Sequence, residues 1–180
     1  MGDSSAAGVG ASHQENALSG QIAQRLSKTN HLSWRLEAKT SATSQSTLNH
    51  LKILPEQHFD TAILIVGVND VTGNVTLASW LRTQHALHAV LNQRFGVTSI
   101  LRTAVPPMEH FPLLPQPLRW TLGQTARRFD RALSRLCCET PGAVHIPFDL
   151  PHRPEYAAQD GFHPSEKAYA AWSDLIVKNI

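Results

Sequence analysis

Three short stretches carry side chains able to act together on an acyl carbonyl: "GDSSAAG" from Gly2, "GVND" ending at Asp70, and "DGFHP" from Asp160. A serine hydroxyl attacks only when a base takes its proton and a third group orients that base. Ser4 sits beside Gly2, Asp3 and a run of small residues, which let a substrate and a backbone N–H approach the same point. Asp160 and His163, three apart around Gly161, can place a carboxylate on the imidazole Nδ1 and leave Nε2 facing a serine. Asn69 follows an apolar run, where its amide could donate to a developing oxyanion. Each stretch also has an ordinary structural reading. Gly-Asp-Ser makes turns and helix caps, and an asparagine after a strand closes Asx-turns. A competing pair, Asp149 and His152 in "DLPH", has the same spacing, but Pro151 interrupts it and no glycine eases the turn, so Asp160 and His163 are preferred.

Composition narrows the classes of function. The chain has 180 residues, 42% hydrophobic and 17% charged, with a formal net charge of +2. Its basic residues are spread along the chain, so nothing favours nucleic acid as a partner. The apolar runs are far too short to span a membrane, and no signal-peptide pattern opens the sequence. Cys137 and Cys138 are adjacent and the only cysteines, which supports neither a disulfide framework nor a zinc site. His85 and His88 share a helical stretch, but no carboxylates accompany them in a recognisable metal site.

Strands and helices alternate around these motifs. Apolar spacing predicts helices at 14–28, 46–54, 76–95, 117–139 and 164–178, and strands at 34–40, 61–67, 97–105 and 143–148. Such alternation builds a parallel sheet covered by helices on both faces, whose ligands lie beyond the carboxyl ends of the strands. "GVND" follows the strand at 61–67, and "DGFHP" precedes the last helix. A proline-rich apolar loop, 106–118, belongs to the same edge.

Taken in order, "GDSSAAG", "GVND" and "DGFHP" resemble the blocks of the SGNH (GDSL-type) hydrolase superfamily across nearly the whole chain. The resemblance implies one flavodoxin-like three-layer α/β/α domain over residues 1–180, hydrolysing small-molecule esters or thioesters with neither metal nor cofactor. It makes Ser4 the nucleophile, His163 the base and Asp160 its orienter. The oxyanion hole would come from the N–H groups of Ser4 and Ser41 and the Asn69 amide. Val68, Pro107, Met108 and Phe162 would line the substrate pocket. The G-x-S-x-G elbow of the α/β-hydrolase fold is absent. Ser41 stands where the family carries glycine, a change that matters only if the position needs positive φ. In the family the Gly-Asp-Ser block ends a central first strand, and only Met1 precedes Gly2 here. The expectation is an N-terminally truncated domain without that strand, and the rival reading is a non-catalytic member that at most binds ligand. Short- or medium-chain esters, carbohydrate O-acetyl esters, thioesters and lysophospholipids all stay open as substrates.

Overall fold

The computed structural model describes residues 1–151 and 153–180. Its centre is a parallel sheet of β1 (Thr61–Leu64), β2 (Ser99–Thr103) and β3 (Ala143–Ile146), in that order. Thr61 lies opposite Ser99, and Ile100 opposite Ala143. Side chains alternate across a strand, and β2 shows the result. Leu101 joins a cluster with Leu18, Tyr169, Trp172 and Ile176 on one face, whereas Ile100 joins Leu51, Leu87, Leu91 and Phe95 on the other. Both faces are covered, so these strands read as continuous apolar runs in the sequence.

The helices are α1 (Ser4–Ala7), α2 (Leu18–Leu26), α3 (Ser44–Ile53), α4 (Val68–Thr72), α5 (Leu77–Phe95), α6 (Leu118–Glu139) and α7 (Glu166–Val177). α2 and α7 pack together over one face of the sheet, and α3 and α5 over the other. In α6, Ala126, Phe129, Leu133 and Leu136 turn inward, while Arg127, Arg128, Arg131 and Arg135 stay exposed. Side-chain caps start several of these helices. Thr43, Thr76 and Ser165 accept from backbone N–H groups in the first turns of α3, α5 and α7.

Gly2 extends the sheet beyond β1. It makes parallel bridges to both Ala38 and Ile65. The order across the sheet is therefore Ala38, Gly2, β1, β2, β3, with the first two segments exchanged relative to chain order, as in flavodoxin-like folds. Only glycine fits at residue 2, because a Cβ there would stand 2.0 Å from the Ile65 carbonyl oxygen. Gly2 N–H donates to Glu37 O, Lys39 N–H to Gly2 O, and Asp3 N–H to Ile65 O. One expected strand is corrected: residues 34–40 form no strand, only the single bridge at Ala38. Ladder pairing needs a neighbour along its length, and residues 31–36 make no backbone–backbone hydrogen bond among the described residues.

Candidate active site

The Gly2–Ser4 block is a sharp turn from the sheet into a short helix. Asp3 caps α1 by accepting from Ser5 N–H at 2.9 Å, and Ser4 is the first helical residue. In that position its own N–H has no preceding turn to bond. At the far end of the chain, Asp160 folds the "DGFHP" turn around its carboxylate. Oδ1 accepts from the N–H groups of Phe162 and His163, both at 2.9 Å, and Oδ2 lies 2.6 Å from His163 Nδ1. His163 Nε2 then stands 3.0 Å from Ser4 Oγ. Ser4, His163 and Asp160 thus make one continuous hydrogen-bonded line, across 159 residues of sequence. Phe162 supports the ring edge-on, with centroids 5.2 Å apart.

Electrostatics divides the two aspartates. Burial alone would raise the Asp160 carboxyl, but the His163 side chain and the two backbone donors outweigh it and bring the pKa down to about 2. Asp160 is therefore ionised throughout the neutral range. Asp3 is nearly fully buried, and that burial pushes its pKa up to about 6 against the pull of the Ser5 and Ala6 N–H groups.

Two consecutive residues of α4 hold the loop that carries Ser41. The Asn69 amide donates to Ala42 O at 2.9 Å. The Asp70 carboxylate accepts from Ser44 N–H at 3.0 Å and from Ser44 Oγ at 2.8 Å. Ser44 Oγ in turn accepts from Trp80 Nε1 at 3.1 Å and Gln84 Nε2 at 2.8 Å, and Gln84 Oε1 accepts from Arg102. Ser41 has φ +62°, in the left-handed region. The exchange of glycine for serine therefore falls at a position where a side chain is strained.

A cleft of about 470 Å³ opens beside Ser4 and His163. Val68, Pro107 and Phe162 line it, together with Phe111, Phe148 and Trp172. Met108 does not. It is fully buried among Val71, Trp80, Val105 and Phe129, because the turn of residues 108–110 points it back beneath the proline-rich loop. Sequence reasoning also missed the Asp70–Ser44–Gln84–Arg102 chain. One signal for it was available, an arginine inside the otherwise apolar run "VTSILRTAV". The competing pair at Asp149 involves His152, which lies outside the described residues. Among the described residues no group of three or more potential metal ligands is assembled, and no helix is long and apolar enough to cross a membrane.

Comparison with known proteins bears on the fold and the family. Solved structures of low identity share the fold. A member of the lipolytic G-D-S-L family from Veillonella parvula has 10% identity and a TM-score of 0.77, covering 98% of this chain and 93% of that one. A lipase from a goat rumen metagenome has 17% identity and a TM-score of 0.74, with 99% and 94% covered. The psychrotrophic esterase EstA of Pseudoalteromonas sp., solved with monoethylphosphonate, has 17% identity and a TM-score of 0.70, with 99% and 92% covered. No curated protein matches the sequence. The model of the GDSL-like lipase/acylhydrolase family, however, matches residues 1–171, and the chain accordingly belongs to that family of ester-type hydrolases.

Proposed function

We propose that the protein is a serine esterase that works through an acyl-enzyme, with Ser4 as nucleophile, His163 as general base and acid, and Asp160 as the group that orients and stabilises the imidazolium. The observation that carries this reading is the line from Ser4 Oγ to His163 Nε2 at 3.0 Å and from His163 Nδ1 to Asp160 at 2.6 Å. His163 takes the Ser4 proton as Oγ bonds to the ester carbonyl carbon. The oxyanion is met by the N–H groups of Ser4 and Ser41 and by the Asn69 amide. His163 then protonates the departing alcohol, and water resolves the acyl-enzyme by the same two proton transfers. No step calls for a metal or cofactor.

The cleft supports a short or medium acyl chain. Much of its wall near Ser4 is proline, phenylalanine and tryptophan side chains, which desolvate an acyl tail, with Arg153 and His110 also in the lining. Simple esters and thioesters with small acyl groups fit this lining.

The test is hydrolysis of p-nitrophenyl acetate and butyrate by the protein and by Ser4→Ala. The expected loss in kcat is roughly 10⁴-fold or more, with the melting temperature little changed. Turnover that survives the substitution in a clean preparation assigns the nucleophile elsewhere.

A further inference from the structure

The outer face of α5 and α6 gathers positive charge that is not balanced among the described residues. Arg128, Arg131 and Arg135 recur at three- and four-residue spacing along α6, so their side chains form one row. Arg82 lies one turn before His85 on α5, and all four arginines are exposed. The arginine ion pairs of the molecule use Arg25, Arg35, Arg94 and Arg127 instead. A solvated helix face ordinarily interleaves both signs. This one does not. α5 contains no acidic residue. Of the two in α6, Asp130 accepts from Val105 N–H and meets His145, which leaves Glu139 at the far end. Four arginines against one glutamate exceed the net charge of the entire chain, +2.

Apolar groups share the face. A groove of about 410 Å³ runs between the two helices, lined by Leu77, Leu81 and Leu136 as well as by the three arginines of α6. Two turns before Arg127, on the same exposed stripe of α6, Trp120 is 59% exposed. Leu118 beside it is 46% exposed, and Leu113 in the preceding loop 59%. The face therefore runs from apolar side chains at one end to unpaired guanidiniums at the other, over about 22 Å of helix.

Charge complementarity calls for an anionic partner, and the apolar groups narrow the choice. A nucleic acid or an acidic protein tail would pair the guanidiniums but leave Trp120, Leu118 and Leu113 in water. An acidic lipid surface takes both: phosphates meet the arginines, and indole and leucine side chains settle at headgroup level. We propose that the α5–α6 face, with Trp120 at its leading end, docks the protein on an anionic phospholipid surface. Leu113 N–H donates to Gly161 O at 3.2 Å, inside the turn from Asp160 to His163. Docking thus brings the rim of the Ser4 cleft to the lipid and, on the esterase reading above, gives it direct access to esters dissolved there.

The probe is vesicles of phosphatidylcholine, alone or with about 30% phosphatidylglycerol, sedimented with the full chain. Binding is expected only with phosphatidylglycerol, together with a blue shift of tryptophan emission, and it should fall steeply between about 0.1 and 0.5 M salt. Arg128→Gln, Arg131→Gln and Arg135→Gln combined should weaken binding about a hundredfold, at roughly fivefold per arginine, without lowering the melting temperature. Lys28→Gln, Lys52→Gln and Lys178→Gln combined change the net charge equally but lie on other elements, and should bind like the parent. Trp120→Phe should keep binding and lose most of the blue shift. The proposal is overturned if phosphatidylcholine alone binds equally, if the two triple variants bind alike, or if Trp120→Phe keeps the blue shift. It is also overturned if poly-glutamate or an oligonucleotide binds as tightly as the acidic vesicles. None of these readouts depends on ester hydrolysis.

Discussion

Ser41 is the residue where family pattern and local geometry conflict. Its φ of +62° costs an L-residue about 1–2 kcal/mol relative to right-handed backbone, and glycine escapes that cost while losing some chain entropy on folding. Ser41→Gly is therefore expected to stabilise the protein by about 1 kcal/mol, read as a rise of about 2–4 °C in melting temperature. Its N–H keeps the same place in the loop, so turnover should stay within about twofold of the parent. A lower melting temperature would mean that the serine side chain contributes more than its strained backbone costs. A large drop in kcat would mean that the side chain itself takes part.

Among the elements, the joint between α3 and α4 does most to shape the site. Asp70 sits at the α3 N-terminus, where its negative charge meets Ser44 N–H and the positive end of the helix. Asn69 ties down Ala42 just upstream. Asp70→Ala would leave the Ser44 N–H and hydroxyl buried without this acceptor, a loss of about 1–3 kcal/mol. The loop carrying Ser41 would relax with it, and we expect kcat to fall about tenfold with KM little altered, since the cleft beside Ser4 is lined by other residues. Asp70→Asn keeps one acceptor and should fall between. Steady-state kinetics with p-nitrophenyl butyrate separates the two parameters. Much of this arrangement was legible beforehand. Strands covered on both faces announce themselves as apolar runs, as in "TAILIVG", and α7 shows its inner stripe at Tyr169, Trp172 and Ile176. The turn residues around Ser4 and His163 also stand out in one dimension. The rest depends on contacts remote in sequence. Residues 34–40 have strand-like composition but nothing beside most of them to pair with, and the packing of Met108 depends on α5 and α6. Ser44 reaches Asp70, 26 positions away, and no local pattern encodes such a partner.

For the molecule as a whole, two buried groups oppose each other as the pH falls. Asp3 has its pKa raised from 3.8 to about 6 by burial. The native state therefore holds a proton that the unfolded chain has lost, and stability is regained as pH drops from 6 toward 3.8. His88 is buried with neither ring nitrogen hydrogen-bonded, and burial, with Arg102 and His85 nearby, lowers its pKa from 6.5 to about 4. The unfolded chain then binds the extra proton, and stability is lost over nearly the same interval. Asp70, also raised by burial, adds to the Asp3 side. Carboxyls held low, such as Glu37 and Asp160, begin to cost stability only below their unfolded values of 4.5 and 3.8. Between about pH 6 and 4.5 the parent protein should show a shallow dependence that conceals two steep ones. Asp3→Asn keeps an acceptor for Ser5 N–H but cannot ionise, so His88 is opposed by Asp70 alone and the melting temperature should fall by a few degrees, about 5 °C at most, across that window. His88→Leu removes the other partner, and its melting temperature should rise over the same window. Thermal melts of the three proteins at pH 4.5, 5.2 and 6.0 decide the matter: parallel curves would show that neither group titrates differently on folding, whereas slopes of opposite sign in the two variants identify the compensation.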